Sequence, residues 1–175
     1  MNINENNARI YIACISAYNN GFLHGRWIDA YQGIDHIQEN IKEILESSPV
    51  AEECDEWGIH DSDGFGNYIV SESHDLSDLC DVAELINDCQ DFPPKLVTSL
   101  IQDYGIDEAK SKMDDDFIGE FDSVTDLAYQ HIDDSGLLHN VDKTITMYFD
   151  YKAFGNDLVL NGEVLEFDGF YFWNN

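Results

Sequence analysis

Positive charge is what this sequence has least of. Lys and Arg number 8 against 36 Asp and Glu in 175 residues, for a formal net charge of −28. Such a chain repels phosphate, which excludes direct nucleic-acid binding and leaves phosphate-handling chemistry poorly served. Long apolar runs are missing too. No stretch approaches the 18 or so consecutive apolar residues of a membrane span. The opening MNINENNARI lacks the apolar core of a signal peptide, so the chain reads as cytoplasmic. The 4 cysteines (Cys14, Cys54, Cys80 and Cys89) contain no Cys-x-x-Cys pair and read as reduced and mostly buried. Histidines and cysteines show no zinc-ligand spacing. A nucleophile elbow, a phosphate-binding loop, a dinucleotide fingerprint and a His-Glu-x-x-His helix are all lacking. No enzyme, no catalytic residue, no metal and no cofactor is expected on these grounds. Carboxylate pairs such as Asp133–Asp134 carry no catalytic signal here, because acids are everywhere.

What is present is a foldable chain. Hydrophobic residues make up 43% and aromatics 13%, too much for a disordered acidic tail. The charge is spread along the fold: residues 1–58, 59–112 and 113–175 net −7, −9 and −12. Residues 9–16 and 26–31 read as strands around a polar turn at Asn19–Gly21, and 35–47 as a helix capped by Asp35 and ended by Pro49. Residues 54–60 read as a third strand, completing a β-β-α-β unit. The spacing of Leu76, Leu79, Cys80, Ala83 and Ile86 predicts a helix over 75–90 with Ser73 as cap. A second helix starts at Pro93-Pro94 and runs to Gly105, and a short one covers 107–113. A strand at 116–121, a helix over 123–135 stopped by Gly136, a helix over 144–152 and a hairpin turning at Asp168-Gly169 complete the chain. The expectation is an α+β protein of three small lobes: 1–72, a helical 73–113, and a mixed 114–175 with a C-terminal hairpin.

The acids form patterns. Asp75, Asp78, Asp81, Glu84 and Asp88 recur every three to four residues on one predicted helix. Asp122, Asp126, Asp133 and Asp134 do so on another, and Asp114, Asp115, Asp116 and Glu120 fill the approach to it. Such runs are ordinarily solvated faces balanced by Lys or Arg at i+4. Here no base occurs from Ser71 to Phe92 or from Asp114 to Asn140. Repeated like-charge repulsion, at some tenths of a kcal/mol per pair, points to a functional face. By charge density, the net charge corresponds to roughly 48 Å of duplex DNA, about 14 base pairs. An alternative is Asp61–Glu72, DSDGFGNYIVSE, which partly fits an EF-hand calcium loop. Phe65 occupies a ligand position there and a strand precedes it, so a Gly- and Asp-rich turn is favoured.

Three stretches resemble the ArdA-type antirestriction proteins: RIYIACISAYNNGFLHGRWIDAY (9–31), FIGEFDSVTDLAYQHIDDSG (117–136) and YFDYKAFGNDLVLNG (148–162). The third is the most specific. They fall in the family's order and span nearly the full length. The family often has Gly-Arg-Asp-Leu where this chain has Gly155-Asn156-Asp157-Leu158, which removes one more cation. The resemblance implies a bacterial protein of mobile elements such as conjugative transposons. It implies an elongated three-lobed protomer curved like bent B-DNA, dimerised through its C-terminal lobe. Such a DNA mimic blocks the DNA-binding groove of type I restriction-modification enzymes. The acids named above would then stand in for phosphates, and Tyr148, Phe149, Tyr151 and Phe154 would build a core or dimer seam.

Overall fold

Alternation of side chains decides the first sheet. In β1 (Arg9–Cys14) Ile10 and Ile12 are fully buried, while Arg9 and Tyr11 lie on the half-buried opposite face. The computed structural model describes residues 7–50 and 55–175. It sets β1 between β2 (Gly25–Asp29) and β3 (Trp57–Asp63), antiparallel to both. Tyr11 stands opposite Trp27 and meets it edge-on at 5.6 Å. The Arg9 guanidinium lies 4.9 Å from the Trp27 ring centroid and 2.7 Å from Asp63. A short helix, α1 (Ile15–Asn19), leads into the expected polar turn. The second strand stops at Asp29 instead of Tyr31, because a 3-10 turn at Ala30–Gln32 buries Ala30.

In α2 (Ile34–Glu46) Ile37, Ile41 and Ile44 recur at helical spacing and are buried. The helix packs on β1 and β2. Asp35 is not its cap: Gly33 takes that position and Asp35 sits in the first turn, where a carboxylate still favours the helix dipole. The third strand begins at Trp57; residue 54 lies outside the described residues. Next, α3 (Leu76–Asp88) buries Leu79, Val82, Ala83, Leu85 and Ile86 against α2, the 3-10 turn and α4 (Pro94–Tyr104). Its cap is Asp75, not Ser73, with the Ser77 N–H donating to Asp75 Oδ1 at 2.8 Å. Cys14 is disulfide-bonded, which corrects the all-thiol expectation, since sequence spacing does not report which sulfurs meet in space. Cys80 and Cys89 are buried and stand outside any disulfide.

The chain divides into two compact units, Met1–Ala109 and Lys110–Asn175. Across the division α5 (Ile106–Ser111) runs into a π-helical turn, Lys112–Asp116. The second unit has a sheet in the order β4 (Phe117–Glu120), β6 (Phe170–Trp173), β5 (Val164–Phe167), all antiparallel. The β5–β6 hairpin turns at Asp168 and Gly169, both at positive φ, 49° and 89°, the signature of the tight turn that matches strand twist. The helix α6 (Val124–Ser135) is stopped by left-handed Gly136, as expected, and Ser123, expected as its first residue, is its cap. The predicted helix over 144–152 is instead two helices, α7 (Lys143–Thr146) and α8 (Tyr151–Leu160), because Asp142 and Asp150 each cap a new start. Leu127 of α6, Leu158 of α8, Val164 and Tyr171 form the core of this unit. Eight α-helices and two three-stranded antiparallel sheets make the described residues α+β.

Candidate carboxylate surface

Burial of one helix face fixes what the other displays. With its apolar face packed inward, α3 turns Asp78, Asp81, Glu84 and Asp88 to solvent, and Asp75 is exposed at its start. At 1.5 Å of rise per residue, the run from Asp78 to Asp88 places about one carboxylate per 5 Å of helix axis. One DNA strand carries a charge about every 3.4 Å. The helix therefore approaches, but does not reach, the linear charge density of a single strand.

The remaining candidates lie in the second unit. Asp114, Asp115, Glu120, Asp122, Asp126, Asp133 and Asp134 are exposed. Asp116 departs from the expectation of a surface acid. Its side chain is 14% exposed, lies 3.6 Å from the buried Lys112 ammonium, and accepts from the Asn175 amide at 2.9 Å. Not one described Asp or Glu is classed as buried.

Several acids also do local structural work. Asp75 caps α3. Asp126 completes a reciprocal cap, accepting from Ser123 Oγ at 2.6 Å while its N–H donates to the same oxygen at 3.3 Å. Both place negative charge where the helix dipole favours it. Their effect is felt in the interior. Burial pushes the Cys80 thiol up, and the charges of Asp81, Glu84 and Asp75 push it further. The Tyr68 hydroxyl is raised by burial and by Asp78, and Tyr171 by burial, Glu166 and Asp126.

Asp61–Glu72 does not form a calcium loop. Asp61 and Asp63 lie on β3, Asp63 is paired with Arg9, and the Phe65 side chain is buried. The Asn67 N–H donates to Thr98 Oγ1 at 3.0 Å, fastening the turn to α4. Among the described residues no cluster of three or more His, Cys, Asp or Glu could hold a metal ion. No helix there is long and apolar enough to cross a membrane.

The four aromatic candidates separate. Phe154 packs against the core of the second unit. Phe149 meets Phe154 at 5.6 Å and Tyr151 edge-on at 4.9 Å. Tyr151 in turn stacks on Tyr129 at 3.8 Å, a residue the sequence reading passed over because its partner is 22 positions away. Tyr148 is 84% exposed, beside the exposed Ile145 and Met147.

Residues 10–172 match the family described as antirestriction protein (ArdA). No curated protein matches the chain.

Proposed function

The chain belongs to the ArdA antirestriction family, and on that premise we propose that it inhibits type I restriction-modification enzymes by occupying their DNA-binding groove. Membership of that family implies antirestriction, and the family is not one of known enzymes. The finer reading is ours: carboxylates take the place of phosphates, and the basic channel of the target exchanges its counterions for them.

The observation that carries this reading is the α3 face, four exposed acids and an exposed capping Asp75 on a helix whose other side is locked into the core. Flexible acids would lose ordering entropy on binding; acids on a packed helix have lost much of it already. In this reading the protomer is elongated, with lobes at 1–72, 73–113 and 114–175, and curved like bent B-DNA. It acts in the bacterial cytoplasm, is carried by a mobile element, and forms a homodimer through its last lobe. The exposed Ile145, Met147 and Tyr148, close together in the chain, favour such a seam, since exposed apolar side chains gathered in one region mark an interaction surface.

A titration of the protein against a type I enzyme with labelled target DNA tests the mechanism. Inhibition should be stoichiometric, and should weaken at least tenfold between roughly 50 and 200 mM salt. Asp115→Asn alone should leave it nearly intact, while neutralising ten or more of the acids should erode it progressively. Inhibition indifferent to salt, or abolished by Asp115→Asn, contradicts distributed charge mimicry.

A further inference from the structure

We infer that an open groove on the second unit is a seat for an arginine side chain of the partner's DNA-binding surface. The inference rests on the charge-mimicry reading and adds one concentrated contact to a distributed field. The groove encloses about 640 Å³ and is lined in part by Phe121, Asp126, Tyr129, Asp133, His139 and Tyr151, with no Lys or Arg in its lining. All of these residues lie within Lys110–Asn175.

Its geometry follows from α6. Asp126 and Asp133 are seven residues apart, two helical turns, which sets them on one face about 10 Å apart along the axis. Tyr129 falls between them on the same face. Its ring stacks on Tyr151 with planes 19° apart and centroids 3.8 Å apart, and Phe149 meets Tyr151 edge-on from α8's approach. The pair is therefore held in place before any ligand arrives, yet Tyr129 remains 53% exposed.

An aromatic pair flanked by carboxylates selects the occupant. An anion is repelled by Asp126 and Asp133. An apolar segment would strip water from two charges without replacing their hydrogen bonds. A cation is attracted by both. A guanidinium suits them better than an ammonium, because it is planar, stacks on an aromatic face and donates to carboxylate through a rigid fork. DNA-binding grooves hold arginine for the same bidentate chemistry toward phosphate. Acids spread over a surface chiefly steer encounter. Aromatic side chains from which binding excludes water are where a few residues come to dominate affinity.

Equal-charge variants separate the pocket from the field. Asp133→Asn removes a groove acid, whereas Asp134→Asn removes its neighbour, which is outside the lining and accepts from Gln130. Inhibition constants should rise about tenfold or more for Asp133→Asn and less than about twofold for Asp134→Asn. Tyr129→Phe should retain inhibition and Tyr129→Leu should lose it; should the Leu variant not fold, the Asn pair and a second measurement decide. In that measurement the full-length protein is titrated with N-acetylarginine amide by NMR, with the lysine analogue as control. Shifts should centre on α6 and the Tyr129–Tyr151 pair and be larger for arginine. Equal losses for the two Asn variants would overturn the seat while leaving mimicry standing. So would arginine shifts spread over all acidic faces. A change of oligomeric state in Asp133→Asn, read by light scattering, would assign the groove to self-association and overturn the inference as well. Absence of inhibition by the unaltered protein would instead defeat the underlying reading, with the amide titration still reporting on the groove.

Discussion

Lys112 carries one of only 8 positive charges in the chain, and it is buried at 2% exposure beside Asp116. In a protein with so few cations, placing one inside is a structural choice. The ammonium offsets Asp116 where the π-helical turn enters β4. Breaking a buried pair from one side leaves the other charge uncompensated, at a cost of about 3 kcal/mol or more. Lys112→Ala should lower unfolding stability by roughly that amount in urea titrations. The double variant Lys112→Met, Asp116→Asn should recover most of it. The same residue shows where sequence reading reaches its limit. Asp114, Asp115 and Asp116 are chemically identical neighbours, and only the local winding separates two displayed acids from one that is drawn inward. Cys80 is the complementary case: its place on the apolar face of α3 was legible from periodicity, and its raised thiol follows from that burial together with Asp81, Glu84 and Asp75.

At the level of elements, the helices with an apolar stripe were legible and the rest were not. The stripes of α2, α3 and α4 repeat at helical spacing and are buried as expected, and α6 falls within the span predicted for it. By contrast α8 was hidden. Gly155, Asn156, Asp157 and Val159 are weak helix formers, and tertiary packing overrides them. Gly155 is buried where α8 crosses α6, and a Cβ there would overlap the Val124 carbonyl. Gly155→Ala should therefore destabilise the second unit by about 2 kcal/mol, although alanine is the better helix former, because overpacking outweighs propensity. A thermal melt checks the sign: a raised melting temperature would mean the two helices can part to admit a methyl. Caps were harder to place than helices. Asp35 and Ser73 were plausible on residue type, but Gly33 and Asp75 hold those positions, since a cap is chosen by backbone angles at the helix start.

For the whole molecule, salt acts on two processes with opposite signs. A net charge of −28 opposes the compact state through self-repulsion. Screening shortens the reach of that repulsion from about 10 Å at 0.1 M salt to about 3 Å at 1 M. Added salt should raise the melting temperature by a few degrees, as relief of about 1 kcal/mol would, while it weakens inhibition. Calorimetry and the inhibition titration in matched buffers check both signs. A fold that loosens with salt in step with inhibition would trace the functional loss to instability rather than to screening.

The sequence by itself determined the charge, its spread along the chain, the α+β character and the family resemblance. These properties reside in composition, in short-range periodicity and in motifs read in order. Tertiary structure alone decided which acids face water, where the helices of the second unit break, and that Tyr129 meets Tyr151 in a groove also lined by Asp126 and Asp133. Such outcomes depend on pairs of residues far apart in the chain. Whether those residues touch is settled by packing of the core, which no local pattern encodes.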